Sequence, residues 1–195
     1  MFRERKTAFL IATAVVVIAT LAGVYKSLAR LSREVDELFY NGVYLEDARY
    51  LEPSINSHLQ NSARSALNAG TLLKTYPLLS GEAEALLEAR RKLLDATGVA
   101  EKYDCDRQMT DAFNVLLKTA MMVDIAENDL KIISEDYLAT YRGAHTKMAE
   151  SKGFHAAVGK MRNDTSAITI ALSAILPVSP PKDVFAEFGA LIQFP

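Results

Sequence analysis

The sequence predicts an all-α protein, in which an N-terminal transmembrane helix is followed by an antiparallel bundle of long helices of the four-helix type. A charge-free apolar window from Thr7 to Tyr25 predicts the first helix. The rest of the chain repeats its apolar residues at three- and four-residue spacing, which is typical of amphipathic helices. Connections between these segments are short, which favours sequential helices as antiparallel neighbours.

The first 26 residues form the predicted membrane anchor, with the lipid bilayer as the partner of residues 7–25. The alternative is a cleaved signal peptide, since Ser27-Leu28-Ala29 has the small residues of a cleavage site. The anchor is favoured because the helical pattern runs on without a breaker through Leu28, Leu31, Val35 and Leu38. Basic residues flank the window on both sides but are denser before it, which slightly favours a single-pass membrane protein with a cytoplasmic N-terminus and an extracytoplasmic domain.

Residues 27–195 form the predicted helical-bundle domain, which ends in an aromatic tail over residues 183–195. Asn41-Gly42 indicates a turn, and the stretch up to Pro53 is interpreted as a loop. Helices are expected over Ser54–Tyr76, Ala83–Thr97, Asp106 to about Met122, Ile125–Glu150, Phe154–Leu176 and Asp183–Phe194.

Charge and cysteine content exclude some classes of function. The chain has 22 basic and 24 acidic residues, and without the 4 basic and 1 acidic residues before Ser27 the domain carries 18 and 23. No cluster of Lys and Arg is present, so we expect no nucleic-acid binding. Cys105 is the only cysteine, which excludes an intrachain disulfide, and its acidic neighbours disfavour a reactive thiolate.

Two aromatic groups are the predicted interaction residues. Tyr40, Tyr44 and Tyr50 form an interaction surface, lie at the lipid interface or pack over the end of the bundle, and packing is the favoured interpretation. Phe185, Phe188 and Phe194 in the tail either close the core, which is the favoured interpretation, or contact a membrane or a second copy of the chain.

The sequence carries no recognisable catalytic motif. Asp104 and Asp106, with Asp111, offer oxygen ligands but lack a calcium-loop pattern, so we expect an acidic loop that caps the next helix. The three histidines, His58, His145 and His155, have no zinc-ligand spacing. We therefore expect no catalytic residue, no metal and no cofactor, and a protein that is not an enzyme.

The last third of the chain contains a series of residues whose order and spacing are similar to those of a known protein family. It contains Asn163, then Ile168, Leu172 and Ile175, then Leu176-Pro177, and then Phe185 to Gly189. This order resembles the C-terminal region of the LemA family, bacterial proteins with one N-terminal membrane span followed by an antiparallel helical bundle. The resemblance covers about the last 90 residues loosely.

The match to the LemA pattern has departures. Asn163 and Pro177 are fourteen residues apart, as in the family, whose final long helix carries Tyr-Asn, a second Asn and a terminal Phe-Pro. Here Arg162, Ile170 and Leu176 stand at the Tyr, the second Asn and the Phe. The family's Leu-Ile-Pro-Asn-Leu segment is absent as well, and the resemblance supplies no catalytic residue.

Three functions follow as hypotheses. The first is a membrane-tethered interaction or scaffold protein of the bacterial envelope, with a second copy or another envelope protein as its partner. The second is a membrane-bound sensor whose ligand lies between helices. The third is a metal-dependent hydrolase that uses Asp104, Asp106 and a histidine.

Overall fold

A computed structural model describes residues 2–46, 49–175, 182–191 and 193, and this part of the chain is predominantly helical. The order of elements is α1 (Phe2–Asn41), β1 (Val43–Leu45), β2 (Tyr50–Glu52), α2 (Ile55–Leu73), a 3-10 turn (Pro77–Leu79), α3 (Ser80–Asp95), α4 (Val99–Ala120), α5 (Glu127–Ile132), a π-helical segment (Ile133–Leu138), α6 (Ala139–Glu150), α7 (Lys152–Ile175) and α8 (Lys182–Leu191). The prediction of a mostly helical chain is confirmed.

Helix α1 is unbroken through residue 26, the predicted boundary between anchor and domain. Among the described residues, α1 is the one helix long and apolar enough to cross a membrane, by its length and composition. Its first part exposes large apolar side chains, such as Phe9 (73% exposed) and Val16 (64%). Its last part buries the predicted stripe, including Leu31 and Val35, in the core.

Contacts between helices pair residues in opposite order along the chain. The Arg90 Nε of α3 donates to the Ala63 carbonyl of α2 at 3.0 Å, and Lys74 meets Glu84 at 3.0 Å. As the residue number rises in one helix it falls in the other, so α2 and α3 are antiparallel.

Two further helix pairs follow the same rule. Helix α4 meets α6 through Asp106 with His145 and Thr110 with Tyr141. Helix α1 meets α7 through Arg30 with Asp164, while Val43, just after α1, lies against Gly153 near the start of α7. Both pairs are therefore antiparallel.

One hydrophobic core joins these elements. It includes Phe39 of α1, Leu59 of α2, Leu86 of α3, Phe113 of α4 and Met148 of α6, each at most 2% exposed. Leu191 of α8 is fully buried in the same core. Two leucines at helical spacing, Leu67 and Leu130, are exposed. The buried face of α2 is formed by Ala66, Ala69 and Gly70 instead, and Ile133 is the buried position after α5.

The stretch from Tyr40 to Pro53, predicted as a loop, contains a short antiparallel hairpin. Its pairs are Val43 with Glu52, Tyr44 with Leu51 and Leu45 with Tyr50. Strands of three residues are too short to show an alternation of apolar and polar residues, so the hairpin was not predictable from the sequence. Gly42 precedes the hairpin with φ +79° in a close approach to Glu52, so a side chain there is strained.

The acidic segment around Cys105 is also different from its prediction. Helix α4 begins at Val99, directly after the Gly98 cap, so Asp104 and Asp106 lie inside the helix and neither caps it. Asp104 is exposed, whereas Asp106 is buried. The predicted break after Met122 is confirmed, and so is the separation of α6 from α7 next to Gly153.

Candidate functional site

An acid–imidazole pair, in which the acid is buried and the imidazole is half-buried, joins α4 to α6. Asp106 Oδ2 lies 3.3 Å from His145 Nε2, and the side chain of Asp106 is 9% exposed. The second ring nitrogen of His145, Nδ1, lies 3.1 Å from the carbonyl oxygen of Tyr141. In the described part of the chain, Asp106 Oδ1 is the buried side-chain oxygen that has no hydrogen-bond partner.

Each of the two contacts of His145 requires one proton between its two atoms. A backbone carbonyl only accepts, so Nδ1 carries hydrogen, and an ionised carboxylate also only accepts. The contact with Asp106 therefore needs one further proton, either on His145 Nε2 or on Asp106 itself. Burial lowers the pKa of His145, but the hydrogen bond and charge of Asp106, with the Tyr141 carbonyl, raise the pKa above its ordinary value.

Aromatic packing fixes this pair. The Tyr141 ring stacks on Phe113 at 4.6 Å, and it contacts the His145 ring at 4.8 Å. The hydroxyls of Tyr141 and Thr110 lie 2.7 Å apart. Burial raises the pKa of Tyr141, against the effect of its Thr110 hydrogen bond, so the phenol stays protonated near neutrality.

A cleft of about 780 Å³ with mixed polar and apolar walls lies between the hairpin, the start of α2 and α6, and neither Asp106 nor His145 lines it. The polar and charged residues that line it are Tyr50, Glu52, Ser57, His58, Asn61, Thr140, Lys147 and Glu150. Gly143 and Ala144 form part of its α6 wall. A mixture of carboxylates, hydroxyls, an amide and one ammonium suits a small polar molecule better than an apolar one.

His58 supplies a neutral imidazole to the cleft. Burial lowers the pKa of His58, Lys147 and His145 lower it further, and Glu52 opposes them. His58 and His145 thus lie near each other in space although they are far apart in the sequence, while His155 is exposed and contacts the Ala149 carbonyl.

Glu52 holds the hairpin against the start of α7. Its Oε2 accepts from Ser151 Oγ at 2.7 Å and from the Gly153 amide at 3.1 Å. Ser151 Oγ also accepts from the Phe154 amide, as an N-cap does. A carboxylate at this point satisfies free amides and is stabilised by the helix dipole.

The three predicted tyrosines occupy different places. Tyr40 donates to the Thr97 carbonyl at 2.9 Å and packs edge-on against Phe39. Tyr44 lies opposite exposed Leu51, and Tyr50 lies on the other face of the hairpin, which lines the cleft. The tyrosines therefore share one end of the molecule without forming a single patch.

The aromatic tail is described only in part. Phe185 and Phe188 belong to α8, but their side chains lie outside the described part, as does all of Phe194. Two neighbours in α8 carry structural contacts: Leu191 is buried, and Glu187 Oε2 accepts from the Ala100 amide at 2.9 Å. Through Glu187, α8 caps α4, whose own cap residue Gly98 has no side chain.

Among the described residues, no group of three His, Cys, Asp or Glu side chains is placed to hold a metal ion. Asp104 and Asp111 are exposed and Asp106 is buried, so α4 directs these acids to different surroundings. Compared with protein-family models, curated proteins and solved structures, the chain matches none.

Sequence reasoning missed the pairing of Asp106 with His145 and the cleft between the hairpin, α2 and α6. The residues of the pair are 39 positions apart, and only the packing of α4 on α6 brings them together. One signal was available: residue 106 lies three positions before Met109 and seven before Phe113, a spacing that places all three on one face of the same helix.

Proposed function

We propose that this chain is a membrane-tethered interaction or scaffold protein of the bacterial envelope, built as an antiparallel helical bundle on a single-pass anchor. The observation that carries the proposal is the exposure of the α1 window: six of its large apolar residues, Phe9, Leu10, Ile11, Val15, Val16 and Ile18, are each at least 59% exposed. Contiguous apolar surface of this kind is typical of a membrane or protein contact.

We favour lipid as the contact of this surface. The α1 window is apolar on all sides and carries no charge over the length of a bilayer core. Thr13 and Thr20, its two internal polar residues, donate to the carbonyls of Phe9 and Val16 within the helix. Such internal hydrogen bonds are what a hydrocarbon environment requires. The proposed location in the bacterial envelope rests on the resemblance to the LemA family.

The test of the anchor is fractionation of bacterial cells that express the full chain. We expect the protein in the membrane pellet after extraction with alkaline carbonate, and the Val16→Asp variant to be released. The matched control is Val115→Asp, which places the same charge at a 55% exposed position of α4 and should leave the protein in the pellet. Release of the wild type would contradict the proposal.

The test of the scaffold function is the mass of the purified full chain in mild detergent. A self-associating scaffold gives an oligomer whose mass falls on dilution to that of the protomer. A monomer at every concentration, with no crosslinked partner in native membranes, would contradict this part of the proposal.

The cleft favours a second candidate, a membrane-bound sensor or ligand-binding protein. A Cβ built on Gly143 meets no atom within 4 Å, so Gly143→Leu fills the cleft without a backbone clash. A small polar ligand should raise the unfolding temperature of the wild type and leave that of Gly143→Leu unchanged. No shift of the wild type across a broad set of polar metabolites would contradict the sensor hypothesis.

A further inference from the structure

Helix α7 has a charge-free end that lies beside the α1 window. From Thr165 to Pro181 the sequence contains no Asp, Glu, Lys, Arg or His, and α7 extends through Ile175 within this stretch. The last charged residue of α7 is Asp164, whose carboxylate pairs with Arg30 of α1 at 2.8 Å. Beyond that ion pair, α7 carries only apolar and hydroxyl residues.

The antiparallel register of α1 and α7 fixes how far this end reaches. Arg30 pairs with Asp164, and Val43 lies against Gly153. Both helices rise about 1.5 Å per residue, so the eleven residues from Asp164 to Ile175 cover about 16 Å. Ile175 therefore lies level with about residue 20 of α1, inside the window that ends at Tyr25.

Burial along α1 agrees with this register. The buried stripe of the domain half continues into the window through Val24, which is 8% exposed, and through half-buried Thr20 and Val17. These positions follow the same three- and four-residue spacing as Leu28 and Leu31. A helix therefore covers one face of the window down to this level, and α7 is the antiparallel neighbour whose length brings it there.

We propose that the end of α7, from about Thr169 to Ile175, lies in the bilayer beside the α1 anchor, so that two helices contact lipid. This inference rests on the proposed anchor. With the membrane boundary near Lys26, Ile175 lies about 9 Å below it, in the layer between headgroups and acyl chains. Arg30 and Asp164 then lie just outside the boundary, where an exposed ion pair retains water.

This depth agrees with the chemistry of a helix end. The last four carbonyls of a helix have no partner within it, and they cannot be left bare in the hydrocarbon core. An end about 9 Å deep keeps them within reach of headgroups and water, whereas a full crossing would need about 20 apolar residues. Ser166 illustrates the local solution for hydroxyls: its Oγ donates to the Arg162 carbonyl one turn earlier.

The experiment measures depth with single fluorescent labels on the full chain in lipid nanodiscs. Cys105→Ser removes the only native cysteine, and single cysteines then replace His155, Ser166 or Ser173 of α7, or Val16 of α1. The three α7 positions differ by eleven and seven residues, so they share one helix face. Quenching by lipids with bromine on the upper acyl chain reports proximity to hydrocarbon, and far-ultraviolet circular dichroism checks that each variant is folded.

We expect strong quenching at position 16, clear quenching at 173, weaker quenching at 166 and none at 155. Quenching at 16 with none at 173 and 166 would overturn the placement of α7 while leaving the anchor intact. No quenching at 16 would contradict the proposed anchor itself. If the Ser173 variant does not fold, the difference between positions 166 and 155 still decides the placement.

Discussion

The two halves of α1 belong to one unbroken helix but meet different surroundings. In the window from Thr7 to Tyr25, apolar residues surround the helix and most are exposed, with Val24 as a buried exception, whereas in the half that ends at Asn41 they form one stripe and are buried. Apolar content alone does not separate these cases. Their arrangement does, because a lipid contact needs an apolar surface on every side and a protein contact needs one face.

The largest expected effect comes from placing one charge in each half. Val16 and Val35 are 64% and 1% exposed, so the same substitution, Val→Asp, tests both surroundings. Val35→Asp buries an unpaired carboxylate in the core and should lower the free energy of unfolding by about 4 kcal/mol or more. Urea unfolding in nanodiscs, followed by circular dichroism at 222 nm, measures this loss.

Val16→Asp should leave the folded domain intact and weaken its membrane partition. A carboxylate at the centre of a span costs about 3 kcal/mol, which corresponds to about a 100-fold change in partition. Flotation of the variant with liposomes measures it. Equal loss of folding in both variants would remove the distinction between the two halves.

The domain contains a buried acid paired with an imidazole, Asp106 with His145, whereas the window contains no charged residue. Replacing His145 with Ala leaves Asp106 buried without its partner and should cost about 3 kcal/mol of unfolding free energy. The matched control is His155→Ala, because His155 is exposed, and its effect should stay within about 0.5 kcal/mol. An equal loss in both variants would show that the pair has no special structural role.

The pair also makes stability depend on pH. Since the pKa of His145 in the folded chain lies above that in the unfolded chain, its contribution is complete below a pH of about 6.5 and is lost as pH rises through the raised pKa. The free energy of unfolding should therefore fall between mildly acidic and alkaline pH. His145→Ala should remove that part of the pH dependence, and an unchanged profile would contradict the assignment.

Two glycines give a smaller comparison between the window and the domain. A Cβ on Gly23 meets no atom within 4 Å, whereas on Gly153 it lies 2.7 Å from Glu52 Oε2 and 2.8 Å from Val43 Cγ1. Gly153→Ala should destabilise the chain by about 1–3 kcal/mol, because the hairpin must move. Gly23→Ala should be neutral or stabilise α1 by up to about 1 kcal/mol. Thermal unfolding of both variants measures the difference, and destabilisation by Gly23→Ala would indicate a close protein contact at the window.

The smallest effect concerns the cap that α8 provides. Glu187→Gln keeps the shape of the side chain but removes the charge that accepts from the Ala100 amide, so we expect a loss of about 1 kcal/mol. Glu187→Ala should cost slightly more. Denaturant midpoints for the two variants measure the loss. No change in either variant would show that the Glu187 contact of α8 does not stabilise the domain.

Patterns that repeat along one helix were predictable from the sequence. The stripe of Leu28, Leu31, Val35 and Leu38 was predicted and is buried in full, because helix periodicity alone decides which residues share a face. The boundary next to Gly153 was also predicted.

Features that depend on distant contacts were not predictable. Asp106 looked like a loop residue because its local neighbours are acidic, and only His145, 39 residues later, explains its burial. Glu52 likewise gave no signal as a cap for α7, since its partners Ser151 and Gly153 are about a hundred residues away.

The central claim is that lipid covers the first half of α1 and protein covers the second. The most direct test uses full chain in nanodiscs that contain a lipid with a photoreactive acyl chain, followed by mapping of the adducts by mass spectrometry. Adducts should fall between Thr7 and Tyr25 and be absent from Leu28 to Phe39. Adducts spread equally over both halves, or absent from the window, would contradict the claim.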